Sequence, residues 1–255
     1  MSPLSAIALV WRRYFTVYQK NIVFAITTTF VEPILYLVSF GFGVGGMIGE
    51  IEVAGLRLTY RQFVFAGIAA QQLLFQGFFE AAYGSFVRMY YQRIFQAMAV
   101  TPITLSEILW GELLWDTTKA ATATGSVFLI GVLSGDFRVS GVFFLVPVVF
   151  AGGMLFASLG LLTAAKARSI EDISYPQFLF VFPMFLFCGI FFPLETVGPM
   201  MRAFAWLLPL TPVVDLMRWV TLGMPFHVAS PFIIAGWLIV LVPLSRRAMS
   251  RRLVK

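Results

Sequence analysis

The composition of the 255-residue chain indicates an integral membrane protein: 60% of its residues are hydrophobic and 12% are charged, against roughly 45–50% apolar and about 25% charged residues in ordinary soluble domains. This balance excludes a water-soluble globular enzyme. The single cysteine, Cys188, excludes a disulfide framework and a cysteine-cluster metal site. The single histidine, His227, argues against a histidine metal centre or a catalytic triad. The net charge of +6 comes from basic clusters beside apolar segments, a pattern typical of membrane topology rather than of nucleic-acid binding.

Residues 1–21 are predicted to form an amphipathic helix. Apolar and aromatic side chains recur at three- and four-residue spacing from Leu4 to Tyr18, and Arg12 and Arg13 lie off that stripe. A helix of this kind lies along the membrane interface. The alternative is a basic flank that only orients the first membrane span.

Apolar stretches of about 20 residues recur along the rest of the chain, and each is long enough to cross the roughly 30 Å hydrocarbon core as a helix. We therefore expect an all-α integral membrane fold with one transmembrane domain over residues 1–255. The predicted spans are 22–44, 62–86, 117–133, 142–165, 176–192 and 228–244. Six spans put both termini on one side. Twelve of the 18 lysine and arginine residues, Lys255 among them, fall on that side, so the positive-inside rule predicts cytoplasmic termini.

The segment 88–104, between the second and third predicted spans, contains a second amphipathic pattern. From Arg88 to Met98, aromatic and aliphatic residues occupy one side and basic and amide residues the other. Pro102 ends the predicted helix, because the residue before a proline is pushed out of the helical region. A short amphipathic helix between spans is well placed to dock on another protein.

The segment 193–227 is apolar but interrupted by prolines and a glycine. Two pieces between these interruptions, Met200–Leu208 and Val213–Leu222, are each about half the length that a spanning helix requires. They predict two short re-entrant helices on the outer side, and the alternative is a pair of loops at the outer headgroup level. Asp215 and Arg218, three residues apart, predict a local ion pair on the second helix.

Charged residues also lie inside or at the edge of the predicted spans, namely Glu32, Glu80, Glu112, Asp116 and Lys119. A charge near the bilayer centre costs at least about 2.5–3.5 kcal/mol, so each one needs a partner or a function. Glu112, Asp116 and Lys119 share one helix stripe. Lys119 can neutralise Asp116 or reach a carboxylate on a neighbouring helix. For Glu112 and Asp116 mutual pairing within the bundle is favoured over substrate contact, whereas for Glu32 and Glu80 both readings stay open.

No motif for catalysis, nucleotide binding or a metal cofactor is recognisable in the chain. The glycine-rich stretch Gly41–Gly49 lacks the lysine and the following serine or threonine of a phosphate-binding loop. Dinucleotide, zincin and paired-aspartate patterns are absent from the sequence as well. The chain is therefore predicted not to be an enzyme and to bind no cofactor of its own.

Several short motifs carry a resemblance to a known family. The strongest lies between the last two predicted spans and consists of Phe192–Glu195, Leu207–Pro212 and Asp215–Arg218. Further matches are Glu32–Leu37, Phe86–Arg88, Thr101–Thr104 and Gly111–Trp115 with Lys119. These motifs resemble the permease subunits of type-2 ABC exporters, and among them the nodulation-factor, polysaccharide and drug export permeases. One departure is visible, since the family often has histidine where this chain has Pro212.

The resemblance implies half of a homodimer in the bacterial cytoplasmic (inner) membrane, surrounded by membrane lipid and paired with two copies of a separate ATPase that binds ATP and Mg. It implies export of an amphiphilic or glycan/lipid-like substrate, with no nucleic-acid partner. The implied ATPase-coupling surface consists of Trp11, Arg12, Arg13, Arg88, Tyr91, Arg93, Phe95 and Met98. The implied outer re-entrant motif consists of Pro193, Glu195, Pro209, Pro212, Asp215 and Arg218.

The main alternative is a proton-coupled secondary transporter. Glu32, Glu80 and Asp116 would supply the protonatable groups within the membrane. No internal repeat of the kind many such transporters show is recognisable. A membrane transferase acting on lipid-linked substrates and a scaffold protein are further alternatives, and the first of these lacks a recognisable metal or nucleotide motif.

Overall fold

The structure, a computed structural model, describes residues 2–253, apart from the side chains of residues 24–26, 28 and 42. Met1, Val254 and Lys255, the last residue of the predicted C-terminal basic cluster, lie outside the described residues. Helices make up most of the described range. This agrees with the predicted helical membrane fold.

The N-terminal half of the described chain is built from helices that join into longer rods. They are α1 (Pro3–Lys20), α2 (Ile22–Tyr36), α3 (Gly45–Ile48), α4 (Tyr60–Phe79), α5 (Ser85–Tyr90), α6 (Ile94–Ala99) and α7 (Leu105–Leu133). π-helical turns at Leu37–Val44 join α2 to α3, and similar turns at Glu80–Gly84 join α4 to α5. We call these joined pairs the α2–α3 rod and the α4–α5 rod.

A short β-hairpin separates these two rods, and the predicted all-α fold did not include it. Strand β1 (Glu50–Val53) pairs antiparallel with strand β2 (Leu56–Thr59). Ala54 and Gly55 form the turn between them, and both have positive φ, as a tight hairpin turn of this kind requires. The hairpin marks one end of the molecule, which we call the hairpin end.

The C-terminal half contains two long helices and a broken region between them. Its helices are α8 (Val142–Lys166), α9 (Ser174–Pro176), α10 (Phe182–Phe187), α11 (Pro199–Leu207), α12 (Leu210–Leu222) and α13 (Ala229–Leu253). Short 3₁₀ turns at Val139–Gly141 and Glu171–Ile173 precede α8 and α9. π-helical turns at Gln177–Val181 join α9 to α10.

The third predicted span, 117–133, is the C-terminal part of a longer helix, since α7 begins at Leu105. A capping box fixes this start. The Thr104 hydroxyl accepts a hydrogen bond from the Glu107 amide, and the Glu107 carboxylate accepts one from the Thr104 amide at 2.7 Å. These two bonds satisfy donors that a helix start leaves free. The helix therefore begins twelve residues before the predicted span.

The last two predicted spans also differ from the helices observed. The fifth span, 176–192, was expected to be helical to its end, but α10 stops at Phe187 and Gly189 takes a left-handed conformation with φ of 76°. Glycine adopts this conformation without the penalty that a side chain would bring. The sixth, 228–244, continues as α13 to Leu253, so the basic C-terminal residues of the described chain extend the helix.

By length and composition, three helical stretches of the described chain can cross a membrane: Thr29–Ile48, Val139–Lys166 and Ala229–Leu253. Helices α11 and α12 meet at an angle of 91° and would form a fourth only as one broken span. The short helices lie close to the predicted pieces Met200–Leu208 and Val213–Leu222. The six-span count and the re-entrant role of α11 and α12 stay predictions.

Helix α4 is the centre of the molecule, and every residue from Phe63 to Leu74 is buried. It packs against α7, α8 and α12. Small residues permit close approach between α8 and the α4–α5 rod, since a Cβ at Gly160 of α8 would come within 2.8 Å of Ala81 Cβ and within 3.0 Å of Ala82 N. Close packing at small residues is typical of helix association in membranes.

The end opposite the hairpin holds α1 and the C-terminus of α13, and we call it the terminal end. Here Arg252 Nη1 donates to the carbonyl oxygens of Ala164 at 2.8 Å and Ala165 at 3.2 Å, and also to that of Ala167. These carbonyls belong to the last turn of α8 and the residue after it. At the hairpin end, Arg61 Nη2 lies 2.7 Å from Asp136 Oδ1.

Candidate functional site

Charged side chains meet in the interior near the terminal end, between the α4–α5 rod and α7. We call this group the charge cluster, which consists of Glu80, Arg88, Glu112, Asp116 and Lys119. Arg88 is its centre, because Nη1 lies 2.8 Å from Glu80 Oε1 and Nη2 lies 2.6 Å from Glu112 Oε1. Arg88 Nη2 also lies 3.2 Å from Asp116 Oδ1. Lys119 Nζ contacts Glu80 Oε2 at 2.7 Å, so it reaches a neighbouring helix, the second of its two predicted possibilities.

The local helix geometry explains why these groups face one another. Glu112, Asp116 and Lys119 follow at four- and three-residue spacing on α7 and so share one face. The π-helical turns at Glu80–Gly84 widen the α4–α5 rod just before Arg88, and such turns shift the direction of the side chains that follow. A Cβ at Gly84 would lie only 3.0 Å from Arg88 Nη1. Glycine there leaves room for the guanidinium.

Arg88, one of the residues predicted to form the ATPase-coupling surface, faces the interior of the chain rather than its surface. Its side chain is 12% exposed and is held by carboxylates of two helices. The single predicted helix from Arg88 to Met98 is wrong, because α5 ends at Tyr90 and α6 begins at Ile94. Arg93 lies between them with φ of 50°, which breaks the helical path.

Ion pairs join the members of the charge cluster, but its acidic groups outnumber its basic groups, since three carboxylates face two cations. Ser85 Oγ donates a further hydrogen bond to Glu112 Oε1 at 2.6 Å. Glu112 Oε2 and Asp116 Oδ2 are buried and accept no hydrogen bond from the described residues. No group of three or more metal-ligating side chains within residues 2–253 is arranged to hold a metal ion. Removing one partner from a buried ion pair costs about 3–5 kcal/mol, so Arg88 is the group on which the cluster depends most.

Helix α1 packs on α7 through aromatic side chains. Trp11 Nε1 donates to Thr118 Oγ1 at 3.0 Å. Trp115 of α7 lies in a ring of aromatic neighbours, with centroid distances of 6.4 Å to Trp11, 6.0 Å to Tyr14 and 5.6 Å to Tyr18. The predicted amphipathic stripe is therefore the face that packs on the bundle.

The same face of α1 covers the charge cluster. The Tyr14 ring centroid lies 5.1 Å from Arg88 Cζ, and the Tyr18 ring centroid lies 5.8 Å from Lys119 Nζ. Cations at this distance are attracted to the ring face. The sequence pattern marked these tyrosines only as apolar positions, and their spacing on the stripe is the one signal that could have placed them near the cluster.

The residues predicted to form the ATPase-coupling surface divide into an exposed and an anchored set. Arg12, Arg13 and Arg93 have exposed side chains, and we call these three residues the basic patch. Tyr91 beside them is exposed as well. Trp11 is half-buried, and Phe95 and Met98 are buried in the core. Arg13 lines a cavity of about 670 Å³ together with Gln92 and Ile94, which brings α1 beside the α5–α6 segment. The basic patch therefore lies next to the charge cluster.

At the hairpin end the predicted ion pair between Asp215 and Arg218 does not form. Asp215 Oδ2 accepts hydrogen bonds from the His227 amide at 2.8 Å and from Ser230 Oγ at 2.5 Å. Arg218 Nη2 donates to the Gly189 carbonyl at 2.5 Å. Three-residue spacing places two side chains on the same side of a helix, but each here finds a partner on a different element.

The other residues of the outer motif lie around the start of α12. Pro209 and Pro212 are buried, with Pro212 in the first turn, where a helix has no intrahelical acceptor for backbone amides. Pro193 lies in the loop after α10, where its carbonyl accepts a hydrogen bond from the Thr196 hydroxyl at 2.8 Å. Glu195 of the same loop is exposed.

Glu32 lies apart from the charge cluster. It is half-buried on α2 and lines a groove of about 590 Å³ with Thr27, Tyr36 and Ser39. No ion pair among the described residues includes Glu32, whereas Glu80 and Asp116 share Arg88. The three carboxylates of the proton-coupled alternative thus fall into two separate environments.

Comparison with known proteins identifies the family. The family description "ABC-2 type transporter" matches residues 5–222. Nodulation protein J of Rhizobium leguminosarum bv. trifolii is 31% identical over 248 residues, which cover 96% of this chain and 93% of the relative. Nodulation protein J of Neorhizobium galegae is 32% identical over 216 residues, with 85% and 81% covered. The inner membrane transport permease YadH of Escherichia coli is 24% identical over 222 residues, with 83% and 85% covered. The chain therefore belongs to the ABC-2 type transporter family, whose members are membrane transport subunits of ABC exporters.

Proposed function

We propose that this chain is the permease subunit of an ATP-driven exporter that moves an amphiphilic or glycan/lipid-like substrate out across the bacterial cytoplasmic membrane. In this proposal two copies form the transmembrane unit, and two copies of a separate ATPase, which bind ATP and Mg, attach at the terminal end. The termini then face the cytoplasm. The observation that carries the proposal is the charge cluster, which joins α7 to the α4–α5 rod directly beneath α1.

The charge cluster gives a route by which a push on the terminal end reaches α7 and the α4–α5 rod, two of the helices predicted to span the membrane. The basic patch is the exposed surface at the terminal end. A displacement of α1 would be passed to α7 through the Trp11–Thr118 hydrogen bond. Arg88 links α7 to the α4–α5 rod through its contacts with Glu112 and Glu80. Because these bonds lie in a medium of low dielectric constant, they resist separation and the two helices move as one body.

The surface of the α2–α3 rod supports the proposed homodimer and its lipid setting. Only 6% of the residues in its most apolar stretch are buried within one chain. Val31, Leu35 and Val38 are exposed on it. An apolar face of this size has to be covered by lipid or by protein, and a second copy of the chain is the cover we propose for part of it.

The names of the relatives support membrane transport and specify no substrate. Several relatives are named nodulation protein J, and one is named an inner membrane transport permease. The chain itself contains 28 phenylalanines, which suit contact with acyl chains but equally serve as lipid-facing residues. We therefore assign the amphiphilic class and no individual substrate.

The test is co-purification of the ATPase with a charge-reversed basic patch. We expect a nucleotide-binding protein to co-purify with the wild-type chain in mild detergent and to be lost with the triple variant Arg12→Glu/Arg13→Glu/Arg93→Glu. Arg88 is left intact, because its replacement would disturb the interior. The matched control is Arg57→Glu on the exposed face of β2 at the hairpin end, which should retain the ATPase.

Recovery of the ATPase with neither the wild type nor the control, even after crosslinking in intact membranes, would contradict the proposal. Transport measurements separate the proton-coupled alternative. An ATPase-dead complex that still transports in cells with an intact proton gradient would overturn ATP-driven export and favour the route through Glu32, Glu80 and Asp116.

A further inference from the structure

A partly open pocket at the hairpin end has a polar lining that the proposed coupling mechanism does not use. Its volume is about 280 Å³, below the roughly 300–1,000 Å³ of sites for drug-sized ligands. It lies between the hairpin turn, the loop after α10, helices α11 and α12, and the segment before α13. Its lining includes the charged residues Glu195, Arg202, Asp215 and Arg218 and the rings of Trp206 and His227.

The acceptor at the inner part of this pocket is already occupied. Asp215 receives hydrogen bonds from the His227 amide at 2.8 Å and from Ser230 Oγ at 2.5 Å. Its other oxygen lies 3.3 Å from His227 Nδ1. Asp215 therefore has little remaining capacity to accept hydrogen bonds from a ligand. Its side chain holds the segment before α13 against α12.

The two arginines, in contrast, keep donors without a partner. Arg218 uses Nη2 on the Gly189 carbonyl and stacks 3.6 Å above the Phe63 ring, while its buried Nε has no hydrogen-bond partner among the described residues. Arg202 is exposed at the rim of the pocket. Neither arginine forms an ion pair within residues 2–253. The pocket thus has a guanidinium inside it, on Arg218, and another at its rim, on Arg202, and oxyanions are the groups that guanidinium donors bind best.

The rim supplies the complementary groups. Glu195 is exposed beside the pocket and forms no ion pair among the described residues, so its oxygens can accept hydrogen bonds from hydroxyl groups. Trp206 packs edge-on against His227 with ring centroids 4.7 Å apart and gives the pocket an aromatic wall. An aromatic wall beside polar groups is suited to a polyol, which has both apolar C–H faces and hydroxyls.

We propose that this pocket binds a polyhydroxyl head group that carries one oxyanion, a phosphate or a carboxylate. The oxyanion lies between Arg218 and Arg202, and the hydroxyls reach Glu195. The site lies at the end opposite the charge cluster, and its occupancy needs no ATPase. Its failure would therefore leave the proposed export function untouched, and loss of the ATPase interaction would leave this site untouched.

The test is calorimetric titration of the full chain, in phosphatidylcholine nanodiscs, with glycerol 1-phosphate. We expect saturable binding, with inorganic phosphate weaker and glycerol without measurable binding. Arg202→Gln should weaken glycerol 1-phosphate about tenfold, the size of one charge-assisted contact. Arg202 is exposed, so this variant should fold. Glu195→Gln should narrow the preference for glycerol 1-phosphate over inorganic phosphate, and Arg57→Gln on the neighbouring strand β2 is the matched control.

Nanodiscs containing phosphatidylglycerol distinguish the source of the head group. If a lipid of the outer leaflet supplies it, glycerol 1-phosphate binding is lost in these discs, whereas a soluble or exported ligand leaves the binding intact. Absence of glycerol 1-phosphate binding in phosphatidylcholine discs would overturn the proposal. Equal weakening by Arg202→Gln and Arg57→Gln would overturn it too, because the effect would then be general charge rather than the pocket.

Discussion

The two ends of the molecule treat buried arginines in opposite ways. At the terminal end Arg88 donates to carboxylates of two helices, and the groups left without a hydrogen-bond partner are acceptors, on Glu112 and Asp116. At the hairpin end Arg218 is held by a backbone carbonyl and an aromatic ring, and the group left without a partner is a donor. The first arrangement joins two helices, whereas the second leaves the buried Nε of Arg218 without a hydrogen-bond partner among the described residues. Burial of a charge alone does not distinguish the two, but the partners do.

The largest expected effect is that of Arg88→Gln. Three carboxylates would then face Lys119 alone, so we expect a loss of about 3–5 kcal/mol in the free energy of unfolding. Titration with a denaturing detergent, followed by tryptophan fluorescence, measures it. Arg88→Lys should recover part of the loss, because it keeps the charge but not the forked geometry. Arg12→Gln on the exposed face is the control, and an equal loss there would refute the tying role.

A smaller effect is expected for Arg218→Gln. Glutamine removes the donation to Gly189 and the stacking on Phe63, but it breaks no ion pair, and Asp215 keeps its bonds from His227 and Ser230. We expect a loss of about 1–3 kcal/mol in the same unfolding experiment. A loss of unfolding free energy as large as that of Arg88→Gln would contradict the expected difference between the two buried arginines.

The smallest expected effect is on the pH dependence of stability, and it comes from a carboxylate outside both the charge cluster and the pocket at the hairpin end. Asp172, in the turn between α8 and α9, accepts hydrogen bonds from the Arg168 amide at 2.7 Å and the Ser169 amide at 3.2 Å, and these lower its pKa. A lowered pKa in the folded state stabilises the protein above the unfolded value of about 3.9, and this stabilisation is lost as the pH falls further.

Thermal unfolding at about pH 6 and about pH 3 tests this for Asp172. The melting temperature of the wild type should fall slightly more between these two values than that of Asp172→Asn, which cannot gain the proton. An identical fall in the two proteins would show that the turn contributes no pH-dependent stability.

The sequence predicted the helical architecture better than the path of individual helices. Apolar length placed the long helices, and the four-residue spacing on α7 correctly put Glu112 and Asp116 on one face. It could not show that π-helical turns at Glu80–Gly84 precede Arg88, and these turns pack closely against α8, which is distant in sequence. The inward direction of Arg88 is therefore a tertiary effect.

The same limit applies at the hairpin end. Spacing alone suggested that Asp215 and Arg218 pair, but each has a stronger partner on a segment distant in sequence. The stop of α10 depends on the left-handed conformation of Gly189, and a Phe-rich stretch gives no polar signal for it. The exposed basic patch could be predicted, because solvent-facing charges at a helix surface need no knowledge of the partners in the core.

The contact of Arg252 with the end of α8 has a consequence for biogenesis. Carbonyl oxygens in the last turn of a helix lack intrahelical donors, and those of Ala164 and Ala165 obtain theirs from a side chain made 87 to 88 residues later. During synthesis α8 therefore exists without its cap until α13 is nearly complete. The arrival of the C-terminal residues closes the helix ends at the terminal face, so a chain that lost them would keep its long helices but leave α8 frayed.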